Sequence, residues 1–231
     1  MSSADAASPG PWPVLDVFER RVLGVLVEKQ KTSKSADTYP LSLNALTTGC
    51  NQKSNRDPVV NLTEAEAEDA LSRCQKKQLV MKVTGGRVER WRHTLYEAWQ
   101  VEKVELAILA ELLLRGPQTE GELRPRVSRM DPIDDLDALR AALRPLVQRN
   151  LVLYLTPEGR GAVVTHGFHD PHELERIRGH VNAQPVSLPT QAVAPQESEL
   201  ASLRADLAVL QKVVADLQTD LRDLKEALGV S

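Results

Sequence analysis

A chain of 231 residues holds one or two domains, and 42% apolar residues are enough for packed cores built mainly from leucine, valine and alanine, since aromatics are only 3%. The balance of 29 Lys+Arg against 32 Asp+Glu, a net of −3, singles out neither nucleic acid nor a membrane as partner. No apolar run approaches a bilayer span and the first residues lack the layout of a secretion signal, so a soluble cytoplasmic protein with no membrane partner is expected.

Residues 1–13 are small, proline-containing and terminal, and read as disordered. A first helix is predicted over 17–30, where Phe18, Val22, Val25 and Leu26 recur at helical spacing behind an Asp16/Glu19 capping box. A second short helix follows over 41–49, with Leu43 and Leu46 inward. Next comes NQKSNRDP (51–58), which has no apolar side chain before its proline. Asn and Asp side chains bond nearby backbone and shape turns, so this segment is read as a stitch between helices rather than a binding surface. A third helix is predicted over 64–78, opened by Thr63 and Glu66, with Ala67, Ala70, Leu71 and Cys74 on its apolar face. LVMKV, a Gly85-Gly86 turn and RVERW then form a β-hairpin.

The same order recurs. A helix over 101–115 ends at Gly116-Pro117, a short one starts at Thr119 and reaches Val127, a third spans 136–150, and LVLYL and AVV make a second hairpin. ALSRCQKKQLVMKV from Ala70 aligns without gaps on ALRPLVQRNLVLYL from Ala142, an offset of 142 − 70 = 72. Leu26 aligns on Leu112 at 112 − 26 = 86, so the first unit is longer by 86 − 72 = 14 residues. Pro145, inside the third helix of the second unit, is expected to kink or break it.

The fold expected is therefore mainly α with small β-hairpins (α+β): two tandem winged helix-turn-helix domains, 14–100 and 101–180, then a linker over 181–196 and a coiled-coil helix over 197–231. In the last segment Leu200, Leu203, Leu207, Leu210, Val214, Leu217, Leu221, Leu224 and Leu228 alternate three and four apart, an a/d seam. Such a helix is about 43 Å long. Its apolar stripe calls for a partner, and a homodimer through this seam is expected.

YPLSLNALTTGCNQKSNRDPV from Tyr39, the acidic helix after it, LLLRGPQTEGELRPR from Leu112 and the leucine-repeat end together resemble the bacterial YceH-like family, from about Leu15 to the C-terminus. The resemblance implies a tandem winged-helix fold and brings no biochemical activity with it. This chain departs from it in a shortened, proline-containing second unit and a His-rich segment behind it.

Charge is unevenly spread. Residues 12–100 carry 14 basic and 11 acidic side chains, whereas 101–180 carry 11 and 13. A winged helix usually offers the start of its third helix to DNA. Here Glu64, Glu66, Glu68 and Asp69 occupy it in the first unit and Asp134, Asp135 and Asp137 in the second, which suits the helix dipole and repels phosphates. Basic side chains cluster instead on the other end of the first unit: Arg73, Lys76, Lys77, Lys82, Arg87, Arg90 and Arg92, with Lys53 and Arg56 able to join from the polar segment. These nine are the candidate nucleic-acid contacts, acting on phosphates with strong salt dependence. Trp91 between Arg90 and Arg92 is read as a core residue.

His166, His169 and His172 have zinc-like spacing, but Gly167, Asp170 and Pro171 break the helix that would align them, so no metal is assigned. Asp170-Pro171 reads as the cap and first position of a new short helix. Cys50 and Cys74 are far apart and read as buried thiols of a reducing compartment. No nucleophile elbow, phosphate loop, HExxH or CxxC occurs, so the expectation is a non-enzyme without cofactors. Two functions fit this design. One is a regulator or architectural factor binding duplex DNA through the basic wing. The other is a protein–protein adaptor using the acidic third helices and the coiled coil.

Overall fold

The computed structural model describes residues 12–33, 35, 38–84 and 88–183. Helix α1 (Val17–Thr32) begins where the Asp16 carboxylate accepts from the Phe18 and Glu19 amides and Glu19 accepts from the Asp16 amide. Strand β1 (Leu41–Ser42) leads into α2 (Leu43–Cys50), with Ser42 as its cap. Helix α3 (Glu64–Lys76) opens on the Thr63/Glu66 capping box, and β2 (Val80–Val83) and β3 (Arg90–His93) follow. After a one-turn α4 (Leu95–Trp99) the series restarts: α5 (Lys103–Arg115), β4 (Gln118–Thr119), α6 (Glu120–Val127), α7 (Leu136–Gln148), β5 (Val152–Tyr154) and β6 (Val163–His166). Helix α8 (Pro171–Ala183) begins at the Asp170-Pro171 pair.

The described residues thus form a mixed α+β fold with two small antiparallel sheets, ordered β1-β3-β2 and β4-β6-β5. Trp91 faces Leu41 on one side and Lys82 on the other; Val164 faces Gln118 and Tyr154 in the same way. The repeat seen in the letters is therefore a repeat in space. The element starts locate its extra residues: Val17 to Lys103 is 86, Leu41 to Gln118 is 77, and Glu64 to Leu136 is 72. Nine of the 14 residues (86 − 77) precede β1 and five (77 − 72) separate α2 from α3. Gln78 and Asn150, at the common offset, both adopt left-handed φ, 60° and 57°.

One core serves both repeats, and the described residues all belong to one compact unit. Its axis is the packing of α1 on α5. Gly24 makes this close: a Cβ there would sit 2.7 Å from Leu114 Cγ. Val22, Leu23, Leu26, Ile108, Leu109 and Leu112 are fully buried around this contact. Each such side chain contributes roughly 1.5–3 kcal/mol of transfer free energy, so the two repeats hold each other rather than standing alone.

Three expectations are corrected. Leu41 and Ser42 do not begin a helix; they form the third strand of the first sheet, as Gln118 and Thr119 do in the second. The predicted third helix ends at Lys76, two residues early, because Lys77 caps it and Gln78 turns left-handed. Pro145 does not break α7, since the helix runs on to Gln148. Pro145 lies in the last turn, and Ala141, whose carbonyl would have accepted from residue 145, is exposed, so little bonding is lost. The leucine seam and the Gly85-Gly86-Arg87 turn lie outside the described residues. Among those described, no helix is long and apolar enough to cross a membrane.

Candidate functional site

The polar segment 51–58 is an internal fastening. The Asn51 side chain accepts from the Leu62 amide at 2.7 Å and donates to the Leu62 carbonyl at 2.8 Å, tying the end of α2 to the start of α3. Arg56 turns inward, 5% exposed, and its guanidinium meets both oxygens of Glu28 on α1, at 2.6 and 3.3 Å. It also donates to the Gly49 carbonyl, to its neighbour's carbonyl at Asn55 and to Gln52. The Asp57 amide donates to the Leu114 carbonyl and Arg115 donates to Asn55, so the segment also binds the second repeat. Arg21, buried in α1, holds the carbonyls of Cys50 and Pro58. A neighbouring pair continues the network: Arg129 bonds Glu111 at 3.1 Å, and burial pushes the Glu111 carboxyl up from its usual range.

This geometry sorts the nine candidate bases. Arg56 is consumed by Glu28 and has no surface to offer. Lys77 is held by Glu19 at 2.6 Å and by the Val14 carbonyl. Arg73 pairs with Asp16 and Asp69, and Lys82 with Glu89 at 2.6 Å. Lys53, Lys76, Arg90 and Arg92 remain solvent-facing, with Arg90 also donating to the Pro40 carbonyl. Arg87 is outside the described residues. What the structure brings together on one surface is therefore smaller than the sequence cluster.

Of that remainder, Arg90 and Arg92 lie on the outer face of the first sheet. Pairing sets Met81 opposite Arg92 and Val83 opposite Arg90, while Trp91 and His93 point to the core and are buried. Met81 is 38%, Val83 36% and Val88, beside the hairpin turn, 58% exposed. These three and the two arginines make one apolar patch with two cations in it. Strand alternation positions Met81, Val83, Arg90 and Arg92, since residues two apart share a face and the inner partners are fixed by the core, while Val88 lies two residues before Arg90, outside the paired strand. His93 anchors the inner face by donating to Gln30 and accepting from the Leu95 amide, which burial supports by lowering its pKa to about 4.

The histidines of the HxxHxxH segment are also structural. His166 and His169 are buried and stacked, with centroids 3.8 Å apart, and Arg20 of α1 reaches His169 at 2.8 Å and Glu173 of α8 at 2.8 Å. His172 is exposed on α8. Among the described residues no group of three His, Cys, Asp or Glu is placed to hold a metal. Both thiols are buried, and burial pushes Cys50 up to about 12 and Cys74 higher still.

A unit of three helices and three strands is thus doubled around one core. Residues 15–160 match the family described as "Protein of unknown function, DUF480". A UPF0502 protein of Rhodopirellula baltica, RB6530, is 43% identical over 202 residues, 87% of this chain and 82% of its own length. A UPF0502 protein of Geotalea uraniireducens is 41% identical over 214 residues, covering 89% and 97%. Another, from Geotalea daltonii, is 53% identical over 142 residues, 61% and 64%. The chain belongs to the DUF480/UPF0502 family of bacterial proteins.

Proposed function

We propose that this protein is a non-enzymatic tandem winged-helix module that binds another protein through the outer face of its first sheet. Each repeat has the order helix, strand, helix, helix, strand, strand, in which α3 and α7 stand as third helices and the β2–β3 and β5–β6 hairpins as wings. The observation that carries the function is the patch of Met81, Val83, Val88, Arg90 and Arg92. Large apolar side chains left out together beside arginine are what protein interfaces concentrate, whereas single exposed ones are ordinary. The internal pairing of Arg56, Arg73, Lys77 and Lys82 weakens the polyanion alternative. So does the exposed acidic run Glu64, Glu66, Glu68 and Asp69 on α3.

Capture from the native cell, with the full chain and with a Met81→Asp/Val83→Asp variant, tests this. The variant is expected to lose the bound protein, whereas reversal of Glu64, Glu66 and Glu68 leaves it. An unchanged set in the sheet variant would sink the reading, and loss only in the α3 variant would transfer the function to the acidic helix.

Duplex DNA is the second reading, favoured by the surface exposure of Arg92 and Lys76. For it, anisotropy with a DNA duplex must show affinity falling steeply with salt and weakening in Arg90→Ala/Arg92→Ala. We further propose that residues 197–231 join two copies through their leucine seam. Sedimentation of the full chain against a chain ending at 196 is expected to differ by one subunit. Equal states in both would contradict it.

A further inference from the structure

The second repeat holds a cleft whose polar lining the first repeat does not share. It has a volume of about 450 Å³ and lies between α7, the start of α6 and the β5–β6 hairpin, lined by Glu120, Arg140, Arg144, Val147, Gln148 and Tyr154, with Glu158 and Gly159 at the hairpin turn. That size is in the range of small-molecule sites. At its base Glu120 is only 3% exposed. One of its oxygens accepts from the Tyr154 hydroxyl at 2.7 Å, the other from Arg140 Nε and Nη2, each at 2.9 Å. Burial and this bond raise the Tyr154 hydroxyl pKa, so it stays a donor.

A buried carboxylate is not required by the packing here. Leu43 opens α2 as Glu120 opens α6, at the offset 120 − 43 = 77 shared with the strands before them. Lys82 stands in place of Tyr154, Glu68 in place of Arg140 and Ser72 in place of Arg144, all at offset 72. Burying an ion costs desolvation that only well-placed partners repay, and an apolar residue would often serve the packing as well. What Glu120 holds in place is the Arg140 guanidinium, at the wall of the cleft. Arg140 has five N–H donors and Glu120 engages two nitrogens, so donors remain. One turn further, Arg144 is exposed and has no hydrogen bond or ion pair among the described residues, and Gln148 continues the same row. Asp137, 3.6 Å from Arg140, and Glu158 are the acids nearby.

We propose that this cleft binds the oxyanion group of a small molecule, a phosphate or a carboxylate, between Arg144 and the Glu120-positioned Arg140. Two cations a helical turn apart line the cleft, Arg140 held in place by Glu120 and Arg144 with its donors unspent, and Val147 supplies apolar contact for the body of the ligand. The inference concerns the second repeat and is independent of the sheet face of the first.

The test is a titration of the full chain with sodium phosphate and, separately, sodium succinate at constant ionic strength, followed by amide NMR shifts. Saturable shifts are expected around Gln148, Tyr154 and Gly159 with at least one of the two anions; which one saturates identifies the group. Arg144→Gln, a surface change, should weaken binding about tenfold or more. Glu120→Leu, which installs the first repeat's residue, should keep the thermal midpoint yet weaken binding as well. No saturation, shifts scattered over the surface, or undiminished binding by both variants would overturn the site. A short DNA duplex that shifts the same amides more tightly than either anion would also overturn it, in favour of nucleic acid.

Discussion

Replacing Arg56 by alanine is expected to destabilise the fold by about 3–5 kcal/mol, whereas Arg92→Ala changes stability by no more than about 0.5 kcal/mol. The difference comes from burial. Arg56 has a fully buried side chain and a Glu28 partner that is 7% exposed, so truncation strands a carboxylate inside the core between α1 and the polar segment. Arg129, 3.8 Å from Glu28, is its remaining cation and is already engaged by Glu111. The Gly49 carbonyl loses a donor at the same time. In urea the midpoint should fall by roughly 1 M or more. A Glu28→Leu/Arg56→Met double variant removes both charges and is expected to recover most of the loss, because replacing a buried ion pair by packed apolar groups is often neutral. If Arg56→Ala is as stable as Arg92→Ala, the fastening role of segment 51–58 is wrong.

The second large effect is acid destabilisation starting near pH 6.5. An unfolded histidine titrates at about 6.5. In the fold His93 is lowered to about 4 by burial and then by Lys31 and Arg92. His166 is lowered well below its usual range by burial, His169 and Arg20. His169 is lowered by burial and Arg20, against the opposing pull of Glu173. Below pH 6.5 the unfolded chain therefore takes up protons that the folded chain refuses. Stability is fully present above that pH and is lost as pH falls toward 4. His93 alone accounts for about 3 kcal/mol over this window. Glu111, whose pKa is raised by burial, opposes the loss and does so only in the carboxylate range. Urea curves between pH 7.5 and 4.5 should show the decline, and His93→Gln should flatten part of it. A constant midpoint from pH 7 to 5 would contradict the buried neutral histidines.

The residues explain which parts of this were readable. The Asp16/Glu19, Thr63/Glu66 and Thr119/Glu122 boxes announce α1, α3 and α6 because the capping chemistry is local. The α5 box, Glu102/Glu105, is not announced, since glutamate is a rare cap. Two-residue strands such as β1 and β4 have no period to detect and merge with the helices they precede. Arg56 was legible as polar but not as buried. The signal sat elsewhere: Glu28 and Glu111 interrupt helical faces that are otherwise apolar, and a carboxylate in that position calls for a buried cation. The pairing of Arg20 with His169, 149 residues apart, and of Glu120 with Tyr154 depends on which elements meet, which no local pattern encodes. The exposed patch on β2 and β3 follows from alternation once Trp91 and His93 are known to face inward.

The claim that the outer face of the first sheet receives a protein is tested most directly by a photo-crosslinking residue placed at position 83 in the native cell, with position 59 as control. Val83 lies in the patch, and Val59, exposed at 57%, directly follows the polar segment 51–58. The account predicts a discrete protein adduct at position 83 that disappears in an Arg90→Glu/Arg92→Glu background and is absent at position 59. Equal adducts at both positions, or an adduct at position 83 indifferent to the arginines, would contradict it.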